Sequence, residues 1–315
     1  MKTSPYSTNC DCSSSQIQNG YCKITSDYKL RFAAIHPTVE KTKGTVIILG
    51  NYKNVLEEYF PVMREMSQRN FDAVIFDWSD QNELQSKKQK KKHHDYFDIN
   101  SNLNNLDIFL NEFVYSDFPQ PYYMLTYGMG GLIALSGLEL INHKFNRMLS
   151  VSPFFAPLGH QTNGFQHKLT QIFSDIGLGF LPVKSGKQFK QTRNKNIQLR
   201  PHHKVSLSSN RFTKPLTSRW IASVLNTIDI IKTNMMNDHL QTPTLFILAN
   251  QNNIANNIEV RKLCQYTHRT ESITITGAEL DTIIHSEYYR KQFWAIFDAF
   301  IPGIISSAQN FSKTL

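Results

Sequence analysis

The stretch of this chain with the shape of a reactive site is 122-YYMLTYGMGGLIAL-135. An apolar run ends in Thr126-Tyr127-Gly128-Met129-Gly130-Gly131, and a helix-like segment follows. Strand, tight turn, helix is the arrangement by which a G-x-S-x-G turn lifts a serine hydroxyl above a sheet to attack an acyl carbon. Here the centre of the turn is Gly128. Glycine has no side-chain oxygen, so no acyl intermediate can form on it. It also tolerates positive φ without a Cβ clash, so it keeps the turn while removing the reagent. Met129, Gly130 and Gly131 still permit a helix to pack closely on a strand.

No other motif supplies the missing chemistry. H-E-x-x-H, G-x-G-x-x-G and the phosphate loop G-x-x-x-x-G-K-[ST] are absent. His93-His94, His202-His203 and Asp95 lack a recognisable metal spacing. Cys10, Cys12 and Cys22 have no fourth ligand nearby and read as tail cysteines; Cys264 sits far away in a helical pattern. No metal and no cofactor are expected.

The elements that would hold the turn alternate. Strand candidates are 45–50, 72–78, 122–127, 147–153, 244–250 and 272–276, apolar throughout, as strands buried on both faces should be. Helical patterns fall at 54–69, 101–115, 129–143, 256–267 and 286–301, and a hairpin-like region covers 21–37. Alternation of this kind predicts an α/β fold with a mostly parallel, doubly wound sheet. Between Phe154 and His239 the rhythm stops, and 164–182 and 216–236 are amphipathic at helical spacing. That interval reads as a helical cap over the sheet's C-terminal edge, where open α/β sheets place their ligands. The expected organisation is a mobile N-terminal tail (1–20), a core (21–153 and 240–302), a cap (154–239) and a C-terminal tail (303–315).

Bulk properties set outer bounds. With 315 residues, 40% hydrophobic and 12% aromatic, the chain has material for a large core. The net charge of +9 is concentrated in 87-KKQKKKHH-94, with a second basic region at 184–204. Such a run reads first as a solvated loop. Its partner reading is an anionic membrane surface engaged through Lys87, Lys88, Lys90, Lys91 and Lys92. Nucleic acid ranks lowest, because the lysines lack interleaved stacking aromatics. The N-terminal stretch has no apolar run and no window reaches 18 apolar residues, so the expected location is cytoplasmic, at most peripheral to the membrane's inner face.

Four segments together resemble the α/β-hydrolase superfamily, in particular its lysophospholipase (L2 type) and monoacylglycerol-lipase-like serine hydrolases. They are 44-GTVIILGNYKNVLEEYFPVMREMSQRNFDAVIFDW-78, 126-TYGMGG-131, 148-MLSVSPFFAP-157 and 277-GAELDTIIHSEYYRKQFWAIFDAFI-301. The resemblance covers about residues 21–302 and implies a triad in chain order Ser, Asp, His. Carried over position by position, the nucleophile falls on Gly128, the acid on Asn252 and the base on Leu280. The His-Gly that opens the oxyanion loop falls on Leu49-Gly50, and the backbone amides of Asn51 and Met129 fall where an oxyanion pair would be. His285, five residues beyond the base position, reads as a surface or capping histidine before a displaced base. Asp281 reads as a surface carboxylate. Ser150 and Ser152, at a strand end, are expected to face the cleft.

The resemblance therefore implies a carboxylic ester hydrolase scaffold, while its triad positions imply lost catalysis. Triad members act as a unit, so losing one removes most of the rate advantage and further losses add little. Three expectations follow: an inactive protein that keeps a lysophospholipid, monoacylglycerol or fatty-acyl ligand; a residual lysophospholipase or carboxylesterase with relocated catalytic residues, needing a histidine near Gly128; or a membrane-surface or interaction scaffold using its basic loops.

Overall fold

A computed structural model describes residues 17–25, 28–39, 41–51, 54–78, 97–155, 217–251 and 257–301. The strands are β1 (Gln18–Lys23), β2 (Lys29–Ile35), β3 (Thr45–Leu49), β4 (Asp72–Phe76), β5 (Tyr122–Tyr127), β6 (Phe145–Val151), β7 (Thr244–Ala249) and β8 (Thr270–Ile275). They form one eight-stranded sheet in the order β1-β2-β4-β3-β5-β6-β7-β8. Neighbours from β4 to β8 pair in parallel, and β1 and β2 add an antiparallel edge. The α/β expectation holds, with strand ends moved by one or two residues. β1 begins inside the stretch expected to be tail, because an edge strand needs few inward apolar side chains. Only Gly20 and Cys22 of its six residues are buried.

β3, β4, β5 and β7 are buried along their whole length, and alternate residues serve opposite faces. Ile47 and Leu49 of β3 join one core, while Val46 and Ile48 join the other. The first core is closed by α2 (Ile99–Phe109), α3 (Met129–Ser136) and α5 (Ser218–Met236). The second is closed by α1 (Phe60–Gln68), α7 (Leu280–His285) and α8 (Glu287–Phe300). There are also a short α4 (Leu138–Ile141) and α6 (Asn257–Leu263), and α2 runs on through a π-helical turn (Leu110–Val114) into a last α-helical turn (Tyr115–Asp117). The pattern at 129–143 breaks in two at Gly137, whose φ of −108° and ψ of 52° are not helical. Across the second layer, the Arg69 guanidinium lies 4.0 Å from the Trp294 ring centre and reaches Asp298 at 2.9 Å, tying the end of α1 to α8.

Helix α5 lies in the interval expected to be a cap. Its Trp220, Val224, Ile228 and Ile231 are buried in the first core and it packs beside α3, so it forms part of a layer on the sheet. Residues 156–216, the remainder of that interval, lie outside the described residues, as do residues 1–16 and 302–315 and the whole run from Lys87 to Lys92. None of the described helices is long and apolar enough to cross a membrane.

Candidate functional site

The turn between β5 and α3 is built by backbone hydrogen bonds. The Gly128 N–H donates to the Val151 carbonyl at 3.0 Å. The Gly128 carbonyl accepts from Phe154 N–H at 3.0 Å and from Gly131 N–H at 3.1 Å. These bonds hold Gly128 at φ 51° and ψ −112°, a region that residues with a Cβ enter only under strain. The glycine thus retains the geometry of a nucleophile elbow without the nucleophile. Beneath it, the Thr126 hydroxyl donates to Ser150 Oγ at 2.8 Å, both fully buried.

Gly130 sets the position of α3. A Cβ added there would run into the Leu49 carbonyl oxygen, so only glycine lets the first turn of α3 touch the end of β3. That contact brings the loop after β3 over the elbow. The loop is pinned on its far side, where Trp78 Nε1 donates to the Gly50 carbonyl at 2.8 Å. It is pinned again by the fully buried Tyr59, whose hydroxyl accepts from the Asn51 N–H at 2.8 Å. Burial raises the pKa of that hydroxyl well above the ordinary tyrosine value, so it stays neutral.

The loop ends with the Asn51 side chain inside the elbow. Asn51 Oδ1 accepts from the Met129 N–H, the first amide of α3, at 3.2 Å. A Cβ on Gly128 would lie 2.5 Å from Asn51 Oδ1 and 2.8 Å from its Cγ. It would also lie 3.2 Å from Leu280 Cδ2. Leu280 is buried at the first position of α7. There the Glu279 N–H donates to the Thr282 hydroxyl at 2.8 Å and closes the helix start. Gly128, Asn51, Met129 and Leu280 are therefore brought to one point.

Several expected site residues stand elsewhere or are already engaged. The amides of Asn51 and Met129 do converge, and each has an acceptor within the chain. Ser150 and Ser152 are both buried, and Ser152 Oγ accepts from the Ala249 N–H at 3.1 Å. His285 closes α7, with Nε2 3.8 Å from Glu58. Asp281, beside Leu280, is exposed. The heavy atoms closest to a Cβ on Gly128 belong to Asn51 and Leu280, not to a histidine. Asn252 lies outside the described residues; just before it, Gln251 N–H donates to the Ala278 carbonyl at 2.9 Å, tying the end of β7 to the approach to Leu280. Among the described residues, no three His, Cys, Asp or Glu side chains gather as a metal site would require. The two features that sequence reasoning missed are the Asn51 carboxamide and the Tyr59 hydroxyl.

The family model described as serine aminopeptidase, S33 matches residues 40–279. The chain belongs to that family. Its members are α/β-hydrolases, and the sheet order and elbow described above have that form. Among solved structures, the monoacylglycerol lipase of Paleococcus ferrophilus is similar at TM-score 0.63 and 15% identity, over 86% of this chain and 98% of that one. A soluble variant of monoglyceride lipase from Saccharomyces cerevisiae, in complex with a substrate analog, is similar at TM-score 0.64 and 15% identity, over 94% and 97%. A highly thermostable carboxyl esterase from Bacillus coagulans, in complex with glycerol, gives 0.65 and 13%, over 90% and 97%. At these identities the likeness shows the fold. No curated protein matches the chain in sequence.

Proposed function

We propose that this chain is a lysophospholipase-type member of the S33 family that does not hydrolyse esters and keeps a binding role toward an acyl or lipid ligand. The observation that carries the reading is the composition of the elbow. Gly128 offers no nucleophile, and the side chains against it are those of Asn51 and Leu280, neither of which can serve as a general base. Asn252 at the acid position would have no imidazole there to orient. The ligand class is supported by the scaffold's likeness to lipases and esterases, one solved with a substrate analog and one with glycerol.

The test uses the purified full chain with p-nitrophenyl butyrate, lysophosphatidylcholine and a monoacylglycerol, alongside labelling by a fluorophosphonate. The expected result is turnover at the buffer rate and no covalent adduct. Chain-dependent turnover that a fluorophosphonate abolishes would overturn the non-hydrolytic reading. Saturable displacement of a fluorescent fatty acid by lysophosphatidylcholine is expected of the binding role, and its absence would remove that half of the proposal.

A further inference from the structure

An oxyanion hole works by holding amide N–H groups unspent until charge develops on an acyl oxygen 2.7–3.1 Å away. In this elbow neither amide is unspent. The Asn51 N–H is taken by Tyr59 Oη, and the Met129 N–H by Asn51 Oδ1. The second bond is unusual in kind. Its acceptor is a side-chain amide carbonyl, the same chemical group as the acyl oxygen such a hole would bind. It approaches the first N–H of α3, where the helix dipole favours partial negative charge.

We propose that the Asn51 carboxamide is a built-in occupant of the anion hole, standing where the carbonyl or carboxylate oxygen of an acyl ligand would otherwise be held. It excludes two things at once. It takes the Met129 N–H from an acyl oxygen, and its Oδ1 and Cγ fill the space that any side chain at position 128 would need. An acyl ligand is then held without these amides, by contacts elsewhere. This inference rests on the non-hydrolytic reading but needs no ligand to be bound in the native chain.

The test reads the Met129 amide directly, in full-length protein labelled with ¹⁵N-methionine. Sodium acetate supplies the carboxylate and sodium chloride at equal ionic strength the control. In the unchanged chain, acetate is expected to leave the Met129 resonance in place. In Asn51→Gly, the same titration is expected to move it saturably, and chloride much less. A Met129 shift of equal size in both proteins overturns the proposal, because the carboxamide would then be no barrier. No shift in either protein also overturns it, because something else would be excluding the anion. A thermal-denaturation cycle adds an independent measurement. Gly128→Ala is expected to lower Tm at least about twice as much with Asn51 present as in the Asn51→Gly background, since contacting residues couple. Equal losses in the two backgrounds overturn the steric half. Should Gly128→Ala fail to fold with Asn51 present yet fold without it, that outcome supports the proposal.

Discussion

The Tyr59 hydroxyl oxygen stands 2.8 Å from the Asn51 amide nitrogen and accepts a hydrogen bond from its N–H. Through that bond a residue at the end of a 3₁₀ turn (Leu56–Tyr59) fixes the loop that enters the elbow. Tyr59 is fully buried, so its removal would leave a partly buried N–H without this acceptor. Tyr59→Phe keeps the ring and deletes only the oxygen. A stability loss of about 1–3 kcal/mol is expected, the scale for stranding a buried donor. Urea denaturation measures it, and a change within about 0.5 kcal/mol, the range of ordinary surface substitutions, would mean that the loop is held by other contacts.

Replacing the absent reagents is expected to fail while Asn51 remains. The double variant Gly128→Ser with Leu280→His restores the types of nucleophile and base, but the serine would meet the carboxamide. Its rate on p-nitrophenyl butyrate is expected to match that of the unchanged chain. A gain of about 10²-fold or more, the smallest that one general base normally supplies, would show that Asn51 yields easily.

Gly130 offers a contrast with Gly128, because its constraint is purely a matter of space. A Cβ there meets backbone, the Leu49 carbonyl oxygen, which cannot swing aside as a side chain can. Gly130→Ala is therefore expected to destabilise by about 1–3 kcal/mol or more, the range for overpacking. A matched pair of denaturation curves decides it. A neutral result would contradict the close approach of α3 to β3.

The 3₁₀ turn carrying Tyr59 is also tied to a buried acid. Asp77 Oδ1 accepts from the Leu56 N–H at 3.1 Å, while its Oδ2 accepts from Arg31 Nε at 2.7 Å. Burial pushes the Asp77 carboxyl up to about 6, against the pull of Arg31. A carboxyl raised above its unfolded value binds more protons in the folded chain between those two pKa values. Its contribution to stability is thus fully present at acid pH and declines as pH rises from about 4 to about 6. Asp77→Asn removes the titration. The stability difference between the unchanged chain and the variant should shift toward the variant across that window. A difference independent of pH there would refute the raised carboxyl.

Much of the fold could be read directly from residue types. Val46-Ile47-Ile48-Leu49 is apolar without interruption because both faces of β3 are covered, and β4, β5 and β7 are buried in the same way. Edges were harder. In β8, Thr270 and Glu271 belong to the strand through pairing with Thr244 and Leu245, which leaves no apolar mark. The last helix, α8, falls where its sequence pattern places it, whereas the short α7 before it has no such signal. The Glu279–Thr282 cap reverses the usual order of hydroxyl and carboxylate, so α7 is not announced by its sequence.

The site divides along the same line. Gly128 is visible as a missing oxygen, and the place of Leu280 followed from resemblance to a family pattern. The Asn51 contact was not legible, since it joins residues 78 apart and depends on where a side chain points after the sheet has formed. Only the packing of α3 on β3 creates the gap that this carboxamide fills.

The close approach at Gly130 has a consequence for how such proteins are classified. In this turn the glycines serve assembly and the central residue would serve reaction, so the two can be lost separately. A search keyed to the glycines detects an architecture, whereas only the residue between them reports an activity. Assigning an enzyme number to such a chain should therefore wait on position 128 and its neighbours, however well the surrounding motif scores.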